Sequence, residues 1–523
     1  MGARQSMELA RFVQGYTWLR KGSIYIQRKS KKMASTLNCI GLFLLLGLAL
    51  VPKSHAQQCT AVDEDALLVF KGDFYCNDIN NPSIPCPLDS WVPGTDCCQW
   101  SGIQCDASHR VISILLSAYF RQPMTFQITR AAEPAAFGRS LPRLTQLQDL
   151  DFRFISLNTY LPPAWGSITK LRTLNLYASS IYGEIPREFG KLSELTSFTI
   201  DTLAPGLFGF GLSGQAGIPR ELCKLSKLKT FVMRYHPNLS GGIPNCIDGW
   251  RSIEDFQFFN GGDENGRDFS LKQPAATGLT GVLPASLGNL KNLRVLNLAA
   301  NSFGGVIPTS LGSLTSLQTI DLAMNRLTGK IPVEFGNLKN LTILRLYKNR
   351  LYAEIPTSLG NSKALEVLDL GSNGLYGPIP DRMYNLPKVR LLRLDDNRFW
   401  GPLPRGDYLG RDLSIQLVMN VSWNFLDGPL NFRQLPKNIA ELRMSTQNGR
   451  MAFTGLSPTI SVLQSLRVLD LSQNQLTGKL PSTFNDMPNL QEVNLSINDF
   501  EGQVPNRLKV INADLSGNPR LVM

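Results

Sequence analysis

Residues 279–404 read LTGVLPASLGNLKNLRVLNLAANS (279–302), FGGVIPTSLGSLTSLQTIDLAMNR (303–326), LTGKIPVEFGNLKNLTILRLYKNR (327–350), LYAEIPTSLGNSKALEVLDLGSNG (351–374), LYGPIPDRMYNLPKVRLLRLDDNR (375–398) and FWGPLP (399–404). Pro284, Pro308, Pro332, Pro356, Pro380 and Pro404 are each 24 residues apart, and a fixed period of that size marks a stack of like structural units. Each unit spells L-x-x-L-x-L-x-x-N-x-L, as in Leu293, Leu296, Leu298, Asn301 and Phe303. Leu296 and Leu298 alternate with Asn297 and Ala299, so a short strand turns two leucines inward and small or polar residues outward. Leu287, Leu290 and Leu293 pack the returning arm on the same core. Asn301, where the strand ends, can offer its amide to backbone groups that have left the ladder. One unit cannot fold alone: some seven apolar side chains at about 1.5–3 kcal/mol each do not offset the ordering of 24 residues at about 1–2 kcal/mol each. Stability belongs to the array.

The N-terminus has a different character. Residues 40–51, IGLFLLLGLALV, form an apolar run of 12 residues followed by Ser54, His55 and Ala56. The run is short for a bilayer span and has the length of a secretory signal core, with cleavage expected after Ala56. Eight Lys or Arg precede Met33 against the single acid Glu8; either Met33 is the true start or residues 1–56 are an extended leader, an organelle transit peptide being the third reading. The whole chain has 53 basic and 41 acidic residues, of which the leader holds nine and one. The mature chain therefore has 44 and 40, a net charge of +4 instead of +12, and the basic balance ceases to point to nucleic acid.

Cys39 leaves with the leader, and eight cysteines remain: Cys59, Cys76, Cys86, Cys97, Cys98, Cys105, Cys223 and Cys246. An even set crowded into the first mature residues reads as disulfides in an oxidising compartment. No CxxC pair or His cluster accompanies them, which argues against zinc. Cys223 and Cys246 are 23 residues apart, close to one period, so they fall on neighbouring coils where a disulfide staple is expected.

The repeat is a leucine-rich repeat. DEDALLVFKGDF at 63–74 and LDSWVPGTDCCQWSGIQC at 88–105 resemble the N-terminal cap of plant extracellular leucine-rich-repeat proteins: receptor-like kinases, receptor-like proteins and polygalacturonase-inhibiting proteins. The LxGxIP form of the repeat is similar to the same group. The resemblance implies an α/β solenoid, a horseshoe or superhelix with a parallel concave sheet and an N-terminal disulfide cap. It further implies pairing of Cys59 with Cys97 and Cys98 with Cys105, leaving Cys76 and Cys86 for a local loop. The expected organisation is a leader over 1–56, a cysteine-rich cap over 57–109 whose helix carries Leu67, Leu68 and Phe70, and a solenoid of 15–16 repeats over 110–523. At its end DLSGNPRLVM puts Val522 and Met523 where the family carries a cap cysteine, so the C-terminal cap reads as incomplete.

Further strands are expected at 110–116 and around Phe152, Leu176, Ile200, Met233 and Phe258, then around Val421, Met444, Leu471, Leu495 and Leu515. That makes about sixteen, or roughly 75 Å of sheet. After Leu116, Ile200, Phe258 and Met444 the distance to the next proline exceeds the regular spacing by 16, 9, 16 and 4 residues. Every insertion follows a strand, so all should emerge along one edge, as a binding lip or as tolerated surface loops. GFGLSG at 209–214 matches GxGxxG without the crossover helix that nucleotide binding needs. The acids of DENGRD at 263–268 lack the spacing of a calcium loop. Arg405, Gly406 and Asp407 spell an adhesion tripeptide at a position where any polar triplet would serve.

On the outward face, Asn297, Asp321, Arg345, Asp369 and Arg393 form one column whose charges alternate, a ladder that stabilises the sheet itself. Beside it Tyr177, Tyr235, Phe259, Tyr347 and Trp423 are expected to expose aromatic rings, joined by Arg234, Lys348, Asp395 and Asp396. Exposed aromatics and arginines are the stuff of hot spots, and the densest candidate ligand patch is Tyr347, Lys348, Arg393, Asp395, Asp396 and Trp423. Leu344, Arg345, Leu346 and Tyr347 lack the paired arginines with which family receptors take peptide carboxylates. Sequons stand at Asn238, Asn340, Asn420 and Asn494; the first two should be open to glycosylation, the last two fall on the strand column. With only His109 and His236 in the mature chain and no nucleophile elbow, kinase signature or metal cluster, no enzyme and no cofactor are expected. The expected role is extracellular recognition of a protein, peptide or glycan through the concave face and edge loops. Partners would be a co-receptor, a microbial enzyme or wall polysaccharide. The alternative is a secreted inhibitor of microbial polygalacturonase, and a wall-active enzyme is a remote third.

Overall fold

The computed structural model describes residues 58–522 apart from 76–87, 118–126, 129–136, 156, 158, 178–180, 203–211, 215–216, 261–277, 384–385, 404–412, 448–452 and 454. All described residues belong to the unit Ala56–Met523. The leader with its signal core, Cys76, Cys86, Gly209, Gly211, the DENGRD segment, Arg405, Gly406 and Asp407 lie outside them. So does most of each of the four insertions.

The leucine pattern builds one long sheet of seventeen strands among the described residues. Its first strand, Ile103–Cys105, is antiparallel to Val111–Ser117, and from there each coil adds one parallel strand, ending at Asn512–Asp514. In the regular block the register advances by one period per strand: Asn297 faces Asp321, then Arg345, Asp369 and Arg393. Leu296, Leu298, Leu344 and Leu346 are wholly buried in the common core. After each repeat proline the chain makes a single 3₁₀ turn, such as Ala285–Asn289 and Val333–Asn337, which buries Leu287 and Phe335. A glycine in that turn lets the coils close up. A Cβ built on Gly312 would stand 2.2 Å from Glu334 Cβ and 2.8 Å from its backbone.

Most of the described coils turn out of the strand on an asparagine. Asn325 Nδ2 donates to Leu322 O at 3.1 Å and Ala323 O at 3.1 Å in its own coil and to Leu298 O at 2.9 Å in the one before. Its Oδ1 accepts from Phe303 N at 3.0 Å. Asn349, Asn373, Asn397, Asn424, Asn474 and Asn498 repeat the arrangement. Such a ladder adds donors to buried carbonyls at the strand end, a bare one costing about 1–3 kcal/mol. Two coils use other side chains. Gln447 reaches Val421 O and accepts from Leu426 N, and His236 accepts from Leu212 N on Nδ1 at 3.0 Å while Nε2 lies 3.1 Å from Ile200 O. The neutral ring thus supplies one acceptor and one donor, as the amide does. Complete burial holds its pKa down to about 4, against the bond to Ile200.

A second sheet, not foreseen from the sequence, follows the turn: Thr328–Gly329, Arg350–Ala353, Gly374–Gly377, Arg398–Gly401 and Phe425–Leu426 pair in parallel. At the N-terminal end, helix Ala61–Gly72 lays Leu67 and Phe70 over the first coil, with Leu68 partly buried. Buried Asp63 ties the helix to the sheet, accepting from Arg110 Nε at 2.9 Å and from Val111 N at 3.0 Å. Disulfides join Cys59 to Cys97, Cys98 to Cys105 and, farther on, Cys223 to Cys246. The last of these links neighbouring coils at the 3₁₀ turns. No helix among the described residues is long and apolar enough to cross a membrane.

Candidate ligand-binding face

Three rows run along the open face of the first sheet. The inner row pairs with itself: Arg345 meets Asp321 at 3.3 Å, and Arg393 meets Asp369 at 3.4 Å and Asp395 at 3.5 Å. Asp321 and Asp369 are buried. Desolvation pushes the Asp369 carboxyl up to about 6, with Arg393 pulling against it, and raises Asp321 and Asp395 as well. This row holds coils together and offers few free charges.

The second row corrects the sequence reading. Tyr347 and Phe259, expected to be exposed, are 7% and 5% accessible and form a small apolar cluster with Ala299 and Ala323, against which Met324 packs. The cause lies in the neighbouring coils: beside Tyr347 stand Ala323 and Gly371, which leave a trough where a ring can lie along the sheet. The Arg393 guanidinium lies 6.0 Å from the Tyr347 ring centroid and Lys348 Nζ lies 5.9 Å away, both in cation–π range. Arg234 sits likewise 5.3 Å from the Phe259 ring and reaches Asp201 at 3.4 Å. Tyr347 therefore acts as a floor under two cations rather than as an exposed anchor.

The third row is the residue immediately before each ladder position. In eleven coils it is a non-glycine residue with φ between 49° and 62°: Phe154, Tyr235, Ala300, Met324, Lys348, Ser372, Asp396, Trp423, Thr446, Gln473 and Ile497. The left-handed backbone costs a side-chain-bearing residue about 1–2 kcal/mol; ladder bonds on the next residue hold ten of them there, and Phe154, followed by Ile155, donates its amide to Tyr177 O instead. No two of the eleven are the same amino acid. Lys348, Asp396, Trp423, Gln473 and Ile497 are exposed, Trp423 to 52%. Of the six candidate residues, Lys348, Asp396 and Trp423 are exposed, Arg393 and Asp395 are half-buried, and Tyr347 is buried beneath Lys348 and Arg393. Tyr177 is exposed on the second row, with Phe154 edge-on at 5.1 Å.

Asn340 and Asn238 are exposed. Asn420 and Asn494 are half-buried at strand ends, their Oδ1 atoms accepting from Ser422 N and Ser496 N. Two features escaped the sequence reading. One is a groove of about 1180 Å³ across four coils where their apolar-Pro dipeptides enter the 3₁₀ turns, floored by Leu161, Ile185, Ile218 and Ile243 with Glu184 and Arg220 at its rim. The other is a run of exposed rings on the second sheet, Tyr352, Tyr376, Trp400 and Phe425. Its signal was present in the x of L-x-G-x-I-P. No cluster of metal-ligating side chains occurs among the described residues.

Residues 277–401 match the family described as leucine-rich repeat region, 450–500 that of leucine rich repeat, and 61–106 that of leucine rich repeat N-terminal domain. Receptor-like protein 50 of Arabidopsis thaliana is 32% identical over 158 residues, 27% of this chain and 15% of that protein. The chain carries leucine-rich repeats and their N-terminal domain and is similar to plant extracellular proteins of that kind. A polygalacturonase inhibitor of Vitis vinifera is 32% identical to this leucine-rich-repeat protein over 136 residues, 25% of this chain and 35% of that one. Among solved structures, the plant peptide hormone receptor RGFR1 in complex with RGF2 superposes with a TM-score of 0.64 at 27% identity, over 81% of this chain and 65% of the receptor chain. The matched segments span less than two thirds of each of these relatives.

Proposed function

We propose that this leucine-rich-repeat protein is a secreted, receptor-like recognition protein of the plant extracellular space or cell wall. It binds a protein, peptide or glycan ligand through the concave face and edge loops, in defence or developmental signalling. The observation that carries this reading is the left-handed row: its backbone is held the same way in eleven coils, yet its side chains differ at all eleven positions. A structural row would repeat a residue, as the ladder repeats asparagine; a row that reads a partner has to vary. Lys348, Arg393, Asp395, Asp396 and Trp423 are the proposed contacts, with Tyr347 positioning Lys348 and Arg393. Similarity to a receptor-like protein and to a peptide hormone receptor ectodomain supports the ligand-binding role.

The test is binding of the secreted chain, by biolayer interferometry, to a panel of synthetic plant signalling peptides and to a fungal polygalacturonase. A peptide or co-receptor that binds, and that loses roughly tenfold or more in affinity on Lys348→Ala/Trp423→Ala, supports the receptor-like reading. Tight binding and inhibition of the polygalacturonase supports the second reading, an inhibitor, which the resemblance to the Vitis vinifera protein favours. Unchanged affinity of the double variant for every binder would remove the patch from consideration.

A further inference from the structure

The second sheet carries a surface of a different kind. Its strands are offset so that Tyr352 stands beside Gly374, Tyr376 beside Arg398 and Trp400 beside Phe425. Alternation along each strand then puts Arg350 and Tyr352, Tyr376, and Arg398 and Trp400 on one outward face, in keeping with a burial pattern that exposes those positions and buries Leu351, Leu375 and Phe399. Tyr352 is 58%, Tyr376 46%, Trp400 53% and Phe425 39% exposed. Successive rings are one strand and two residues apart, a diagonal spacing of about 8 Å. Tyr352, Tyr376 and Trp400 make no ring contact with one another, and each is about half exposed. Gly374 keeps the flank of Tyr352 clear, since a Cβ there would touch Tyr352 Cβ at 4.0 Å.

Contiguous exposed rings on a folded domain mark a binding surface. The charge around these rings narrows the occupant. Arg326, Lys330, Arg350 and Arg398 are exposed and, unlike the arginines of the first sheet, have no acidic partner among the described residues. Against these four cations stand Glu354, which lies over Gly377, and half-exposed Asp427. We propose that the outward face of the second sheet binds an extended polyuronide chain, its pyranose rings stacking on Tyr352, Tyr376 and Trp400 and its carboxylates taken by Arg350 and Arg398. A row of rings at regular intervals suits a polymer of repeating flat units. Guanidinium groups between the rings suit a polymer with one carboxylate per unit, which they can bind bidentately. A protein partner would need a packed pocket at the centre of the patch, whereas here the rings at its centre stand about half exposed. The inference is independent of the concave reading, because no residue is shared.

The experiment measures binding of the secreted chain to a galacturonan oligomer by calorimetry and by the fluorescence of Trp400, with a methyl-esterified galacturonan and poly-L-glutamate as comparisons. The galacturonan should bind, more weakly as salt rises and more weakly when esterified. Tyr376→Ala/Trp400→Ala should lose roughly tenfold or more in affinity, and Arg350→Gln/Arg398→Gln about tenfold, with unchanged circular dichroism and melting temperature. Lys348→Ala/Trp423→Ala, on the other sheet, should bind the galacturonan as the native chain does. The proposal is overturned if the galacturonan does not bind or if the ring-deleted variant binds equally well. It is also overturned if poly-L-glutamate binds as tightly and is insensitive to ring removal, which would mark a site for acidic protein.

Discussion

The inner row of the first sheet and the left-handed row beside it are built from the same coils and have opposite fates. Asp321, Arg345, Asp369 and Arg393 spend their charges on one another, whereas Lys348, Asp396 and Trp423 are turned outward by a backbone bend that the next residue enforces. The difference lies in what holds each position. A strand residue sees a neighbour on either side about 4.8 Å away and is satisfied by pairing. The residue before the asparagine is fixed through its backbone alone, so its side chain is free to be anything.

The largest expected effect comes from breaking the bonds that enforce that bend. Asn325→Ala removes four hydrogen bonds: the carbonyls of Leu298, Leu322 and Ala323 each lose one of two donors, keeping Asn301 Nδ2, Asn349 Nδ2 and Ala300 N, and the Phe303 amide is left bare; the cost should be about 3–5 kcal/mol in urea unfolding. His236 offers a gentler break in the same ladder. Its pKa of about 4 lies below the ordinary 6.5, so the unfolded chain takes up the proton first. The ring's contribution is complete above pH 6.5 and is lost as pH falls toward 4. Asp369 runs the other way: raised from 3.8 to about 6, it ionises first in the unfolded chain, so stability falls as pH rises through that window. Between pH 4 and 6 the two slopes oppose. His236→Asn should therefore leave a chain that weakens with rising pH, and Asp369→Asn one that strengthens, each by up to about 3 kcal/mol across the window. Denaturant midpoints at half-unit pH steps would show it.

Smaller effects sharpen the contrast between strained and relaxed backbone. Gly312→Ala drives a methyl group into the next coil and should cost about 1–3 kcal/mol. Ala353 occupies the place that glycine holds in the coils of Gly329, Gly377 and Gly401, at φ 114°. Ala353→Gly should stabilise the chain by about 1 kcal/mol in the same unfolding assay.

The period of 24 made the coils, the inward leucines and the ladder asparagines legible, because each recurs at the same place in the regular repeat. What the sequence hid depends on neighbours one period away. Tyr347 looks like any outward aromatic until Ala323 and Gly371 are set beside it, and then it lies down and is buried. The second sheet was missed because its strands, such as Arg350–Ala353, are too short to show alternation and run into a glycine or proline. His236 reads as a stray histidine, and its role appears only where Leu212 and Ile200 converge on its ring. The left-handed row is visible once the backbone angles are known, and its variety could then have been read from the sequence.

Trp423 puts the central claim to the most direct test, since the account assigns it to recognition at the expense of stability. Trp423→Gly relieves the left-handed strain at φ 57°, so the variant should unfold about 1 kcal/mol harder. It should also lose roughly tenfold or more in affinity for whichever signalling peptide or polygalacturonase the native chain binds. Measured together by chemical unfolding and interferometry, higher stability with lost binding is the predicted result. A variant that binds as tightly as the native chain would contradict the assignment of the left-handed row to recognition.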